Sequence, residues 1–258
     1  MTEEFRSFSE EKKSPKILLW DLETGFNVMN LFSLFQPGKH IHYSAISQER
    51  YIICGSIKEL GVNRVESVQV DPENPTEDYE VVKWLLDKIS DSDAIIAHNG
   101  DRFDLKFLNT RALYHRFDPL PPIITIDTLK LAKSKFNFNS NRLDYLGHFL
   151  GVGEKIKTDT SLWTKALQGD AKAINDMVKY NRQDVRLLEA VYLKLAPFCE
   201  SKLNRALFDE DVCPLCGSSN YEKRGYTTKE TLIYQRYKCI DCGKWFQGVK
   251  SIHRAEVK

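Results

Sequence analysis

The run Lys16-Ile17-Leu18-Leu19-Trp20 ends in two acids set two residues apart, Asp21 and Glu23. Five such residues read as a central strand covered on both faces. Side chains alternate along a strand, so both carboxylates leave the same face. Like charges held that close repel, and burying either one unpaired is costly. A fold that keeps the pair must supply positive charge beside it.

Further apolar runs predict strands at 50–59, 64–70, 94–97 and 123–126, the last after Pro121-Pro122. Helical spacing of Val81, Val82, Leu85, Leu86 and Ile89 predicts a helix over 78–90. From Asp127 onward the pattern is helical, at 129–133, 143–150, 161–167 and a long segment 171–194 that Pro197 closes. Strands first, then alternating helices and strands, indicate an α/β fold: a mixed sheet flanked by helices.

Two other segments carry acids. "AIIAHNGDRFDLKFL" (94–108) is a strand, a Gly turn and a helix start, the place where open α/β sheets collect their sites. Taken alone, Asp104 reads as the helix N-cap and Asp101 as a turn residue. In "MVKYNRQDVRLLEAVY" (177–192), Tyr180 and Asp184 are four apart and share a helix face beside Val185, Leu188 and Tyr192. Alone, Asp184 reads equally as a surface acid near Arg182 or Arg186. Together, Asp21, Glu23, Asp104 and Asp184 form a carboxylate set that divalent cations would stabilise. Hard Mg²⁺ or Mn²⁺ prefers such oxygen ligands. Two ions about 3.5–4 Å apart serve in-line phosphoryl displacement.

Asp21-Leu22-Glu23-Thr24, Asn99-Gly100-Asp101-Arg102-Phe103-Asp104 and Tyr180-Asn181-Arg182-Gln183-Asp184 resemble, in order, the three motifs of the DEDD exonuclease superfamily. Tyr180 points to its Tyr-containing (DEDDy) branch, which includes the proofreading domains of family B DNA polymerases. The resemblance covers roughly residues 15–200. It implies a ribonuclease H-like fold and 3′→5′ exonuclease activity on single-stranded DNA with two Mg²⁺ or Mn²⁺ ions. By motif, Asp21 would bridge both ions, Glu23 and Asp184 would complete the nucleophile-side ion, and Asp104 would help hold the other. Tyr180 would orient the attacking water. The backbone from Leu22 to Thr24 would hold the terminal nucleotide, and Asn99 would touch the strand. The Asn-rich stretch 136–141 reads as a loop near the substrate. RNA as substrate is the alternative within this chemistry. A structure-selective endonuclease fits less well with Tyr180, and an adaptor with a vestigial site fits less well with all four acids present.

Cys213-x₂-Cys216 and Cys239-x₂-Cys242 are two knuckles separated by 22 residues, a spacing that suits one tetrahedral Zn²⁺ and resembles a zinc ribbon. The intervening segment predicts a hairpin turning near residues 228–230. Of 37 Lys/Arg and 36 Asp/Glu, residues 221–258 hold nine and four. The tail is therefore +5 and the body −4, which suggests two modules. Basic residues Lys223, Arg224, Arg236, Lys238 and Lys244 lie among Tyr226, Tyr234, Tyr237 and Trp245. Most of these aromatics read as the ribbon's own core, with the basic groups contacting nucleic acid and a replication or repair protein as the competing partner.

The expected organisation is a flexible arm (1–14), an exonuclease domain (15–200), a linker (201–211), a ribbon (212–250) and a tail (251–258). No apolar stretch suits a signal peptide or membrane span, so the expected compartment is cytoplasmic and reducing. Cys54 and Cys199 read as thiols without a role.

Overall fold

The computed structural model describes residues 14–31, 40–209 and 211–256. The flexible arm expected over 1–14 falls, Ser14 apart, outside the described residues. Strand β1 (Ile17–Thr24) is the middle of a five-stranded mixed sheet, and a short pair, β2 (Val28–Met29) and β3 (Ile46–Gln48), which the sequence reading did not contain, follows it. Strand β4 (Ile52–Glu59) lies antiparallel to β1, and β5 (Val65–Gln69) antiparallel to β4. Helix α1 (Tyr79–Ser90) then leads to β6 (Ala94–Ala97), parallel to β1. Helix α2 (Asp104–Tyr114) leads to β7 (Ile124–Asp127), parallel to β6. The order is β5-β4-β1-β6-β7. Helices α3 (Thr128–Lys135), α4 (Leu143–Phe149), α5 (Thr160–Leu167) and α6 (Ala171–Leu195) complete this part. This is the mixed α/β architecture expected, with element ends shifted by one or two residues.

The alternation of β1 divides the core. Leu18, Trp20 and Leu22 pack with Val82, Leu85 and Ile89 of α1 and Leu108 of α2. Ile17 and Leu19 pack with Val185, Leu188 and Val191 of α6. Asp21 and Glu23 continue this second face, so the strand that fills the core also aims both acids at α6. Helix α1 lies close on the sheet because Gly55 has no side chain: a Cβ there would come 2.9 Å from Leu85. Asp78, fully buried, accepts from the Ile52 N–H (2.8 Å) and from Arg111 Nε and Nη2 (2.8 and 2.7 Å), and lies 2.6 Å from His115. That network ties α1, α2 and β4 together, with the guanidinium already supplying the charge that Asp78 requires.

The C-terminal sheet comprises β8 (Tyr221–Lys229), β9 (Leu232–Cys239) and β10 (Trp245–Arg254), ordered β10-β9-β8 and antiparallel throughout. The hairpin turns at Glu230-Thr231, and β10 continues through Arg254, past the boundary at 250 expected for the ribbon. The segment read as a linker is docked rather than free. Leu203 is buried against the α6 side of the core, the Arg205 N–H donates to Pro214 O (3.0 Å), and Lys244 Nζ donates to the Cys199 carbonyl. Cys54 and Cys199 are both buried.

Candidate active site

Three elements bring the acids together. Ligand atoms of Asp21, Glu23 and Asp184 all lie within 4.8 Å of one another. Asp104 is not one of those three but adjoins them: it is buried, and its charge helps to raise Asp21. The N-cap of α2 is Phe103, without a side-chain cap bond, so Asp104 is the first helical residue and not the cap its local sequence suggests. Asp101 sits in the turn as expected and pairs with Lys130 at 2.7 Å.

The turn feeding α2 is built for close approach. Asn99 has φ +68°, and a Cβ on Gly100 would fall 2.3 Å from that of Ala97. The Asn99 N–H donates to Asp127 (2.9 Å), which also caps α3 through Leu129 (2.9 Å). Asp127 is a second acid ending a strand, a pattern visible in the sequence but not singled out there.

On α6, Asp184 is 2% exposed, so the surface reading with Arg182 or Arg186 fails; Arg182 Nε instead donates to Ser67 Oγ (2.8 Å). The cation that meets Asp184 is Lys155, whose Nζ donates to Asp184 Oδ2 (2.5 Å) and to the Tyr180 hydroxyl (3.3 Å). It arrives from the loop between α4 and α5, and its local sequence does not distinguish it from a solvated lysine. Trp163 meets the Tyr180 ring edge-on, with centroids 6.1 Å apart. Asn181 Nδ2 donates to Asp21 Oδ2 (2.6 Å).

The electrostatics are those of crowded acids. Burial, with Asp104, Glu23 and Asp184 nearby, holds Asp21 well above the usual carboxylate range. Burial and Asp184 lift Glu23 to about 8, and burial lifts Asp104 to about 7. Asp184 is raised by burial despite Lys155, while Tyr180 is pushed to about 12 by burial and Asp184. Among the described residues, the one ammonium bonded to these four acids does not neutralise them. Two oxygens, Asp184 Oδ1 and Asn181 Oδ1, are moreover buried with no hydrogen-bond partner. Unpaired buried acceptors amid excess negative charge fit a hard cation. Beside the acids lies a cavity of about 670 Å³ lined by His98, Asn99, Asn141, Arg142 and Lys155 among others. Part of the 136–141 loop, Asn139 to Asn141, forms its wall.

At one end of the C-terminal sheet, Cys213, Cys216, Cys239 and Cys242 form a second cluster within the same 4.8 Å limit. Cys213 and Cys242 sulfurs are 3.7 Å apart, and those of Cys216 and Cys239 3.6 Å. Thiolates placed tetrahedrally about 2.3 Å from one Zn²⁺ would be roughly 3.8 Å apart. The spacing is compatible with a zinc ribbon and far too long for disulfides.

The RNase_H superfamily pattern matches residues 47–196, more than half of the chain, and the chain belongs to that superfamily. It is also similar to the "DNA polymerase III PolC-type" of Ureaplasma parvum, with 26% identity over 130 residues, 49% of this chain and 9% of that protein. Among solved structures, the family B DNA polymerase of Pyrobaculum calidifontis superposes with a TM-score of 0.52 and 16% identity, over 86% of this chain and 32% of that one. The likeness is one of fold. The chain therefore spans a small part of either polymerase. RNase H-like nucleases use divalent metals, in accord with the acid cluster.

Proposed function

We propose that this chain is a 3′→5′ exonuclease of the DEDDy type that hydrolyses phosphodiester bonds at the 3′ ends of single-stranded DNA. Asp21, Glu23, Asp104 and Asp184 would hold two Mg²⁺ or Mn²⁺ ions, and the four cysteines one structural Zn²⁺. When bound, the hard ions supply positive charge to the attacking and leaving oxygens of an in-line displacement. The Tyr180 hydroxyl accepts from Lys155, and in this reading it orients the attacking water. The water oxygen bonds to phosphorus while the bond to the preceding 3′ oxygen breaks, releasing a nucleoside 5′-monophosphate. Lys155 keeps Asp184 and Tyr180 in fixed relation across one helical turn. Asn99, beside the acids, is assigned to the strand, as is the backbone of Leu22 to Thr24.

The observation that carries this reading is the meeting of three carboxylates within 4.8 Å next to two orphaned buried oxygens. Its test is incubation of 5′-labelled DNA and RNA oligonucleotides with the full chain and Mg²⁺ or Mn²⁺. The expected result is stepwise shortening of DNA from the 3′ end, stopped by chelator. Faster shortening of RNA would reassign the substrate, and internal cuts or no cleavage of either would overturn the reading.

A further inference from the structure

The aromatic residues of the ribbon divide between the two faces of its sheet. Tyr221, Tyr237 and Phe246 meet with ring centroids 5.3–5.4 Å apart and make the small core; of these only Tyr237 is among the aromatics expected there, and Tyr226, also expected, is 61% exposed instead. Trp245 belongs to the opposite face. It pairs in register with Lys238, and the next residue but one, Gln247, pairs with Arg236. Both cations reach the indole, Arg236 at 5.1 Å and Lys238 at 5.8 Å from the ring centroid. Even so, Trp245 remains 48% exposed.

This arrangement is held from behind. Arg236 Nε donates to the Arg224 carbonyl (2.9 Å), and Gln235 Nε2 to the Gly225 carbonyl (2.8 Å). Gly225 has φ +72°, and a Cβ there would lie 3.6 Å from Arg236 Nη2. The irregular step between Lys223 and Tyr226 thus seats the guanidinium before anything binds. A groove of about 520 Å³ runs beside this face, with Lys229, Arg236, Lys244 and Trp245 on the ribbon side and Glu200 and Asn204 on the connector side.

We propose that this groove is a second binding site, separate from the carboxylate cluster, for an unpaired stretch of polynucleotide. One base stacks on Trp245, and its flanking phosphates meet Arg236, Lys238 and Lys229. A polynucleotide satisfies the half-exposed ring and the cations together, since each nucleotide carries a flat base and a charge. An acidic peptide meets the cations alone. The +5 balance of residues 221–258, against −4 for the rest, also places the attraction for polyanions here. The proposal rests on the exonuclease reading for the strand's identity, because the groove would hold the part of the strand away from its 3′ end.

The test uses the full, zinc-loaded chain with Asp21→Asn to prevent cleavage, and short and long labelled oligo(dT) followed by fluorescence anisotropy against salt. Trp245→Leu should weaken long-strand binding by about tenfold, the scale of one lost base–aromatic stack, and leave short-strand binding unchanged. Trp245→Phe should retain most of the affinity, and Arg236→Gln should lower the salt slope. One zinc per chain in each variant certifies an intact ribbon. A zinc-loaded Trp245→Leu protein that binds the long strand as tightly as its parent overturns the proposal and makes the face a protein-docking surface. The two readings fail separately. Absence of cleavage by the unsubstituted chain, with the long-strand loss intact, sinks only the exonuclease; normal cleavage without that loss sinks only the groove.

Discussion

Asp21 and Asn181, bonded at 2.6 Å in the acid cluster, are 160 residues apart, whereas Cys213 and Cys242, 3.7 Å apart in the ribbon, are separated by 29. The first cluster exists because a large core places β1 against α6, and its acids then repel within a finished fold. The second sits at one end of a small sheet with a core of three rings, whose residues are otherwise mostly half-buried or exposed. The cation to be bound is in one case a passenger of the fold and in the other a part of it. Substitutions at the two clusters should therefore differ in kind.

The largest effect is expected at the ribbon. Cys239→Ser removes a fully buried thiolate, and structural zinc contributes roughly 10 kcal/mol or more to folding in small zinc modules. Limited proteolysis should then cut within residues 211–256, while the thermal transition of the body and cleavage of short oligonucleotides persist. Loss of the body's transition as well would show that the contacts of Leu203, Arg205 and Lys244 make the two sheets one cooperative unit.

Asp21→Asn should do the reverse. Cleavage should fall on the order of a thousandfold, the scale of losing one preorganised electrostatic stabiliser. The thermal midpoint of chelator-treated protein should hold or rise, because a neutral amide adds nothing to the repulsion that raises the neighbouring acids. Full cleavage by this variant would remove Asp21 from the chemistry. Tyr180→Phe should be milder, about tenfold to a hundredfold in saturated rate, as expected for one hydrogen bond, with strand affinity nearly unchanged. Inactivity equal to that of Asp21→Asn would give the hydroxyl a different task.

The contrast also governs what the sequence reveals. Cysteine spacing is local, so the four-thiol cluster is legible from the chain alone. The acids are legible through strand alternation for Asp21 and Glu23 and helix spacing for Tyr180 and Asp184, because both periods fix faces. Asp104 misleads because a carboxylate at a helix start is most often a cap, and only the fold brings it beside Asp21. Lys155 lies in a loop with no periodicity, so nothing local directs it to Asp184. The docking of 201–211 uses Leu203 and Phe208, two apolar residues five apart that fit neither a strand nor a helix period, in a segment whose charges read as a connector.

The smallest expected effect separates the two clusters by sign. Glu23 is held near 8 and Asp104 near 7, with Asp21 raised as well, all above their unfolded values of about 4. The folded body therefore binds protons more tightly than the unfolded chain. The stability this confers is complete below about pH 4 and is lost as the pH rises through 7 to 8. For chelator-treated protein, the body's thermal midpoint should drop by a few degrees between pH 6 and pH 8.5. Added Mn²⁺ should flatten that slope, because cations favour the charged carboxylates. The zinc-loaded ribbon should respond oppositely, since thiolates must be deprotonated to hold the metal and release it as the pH falls. Thermal melts with and without Mn²⁺, read beside a zinc-release dye across the same pH range, measure both slopes in one sample. A body whose midpoint does not fall toward pH 8.5 would mean that the acids are already neutralised within the fold, by Lys155 and its neighbours, and that the cluster has no need of a cation.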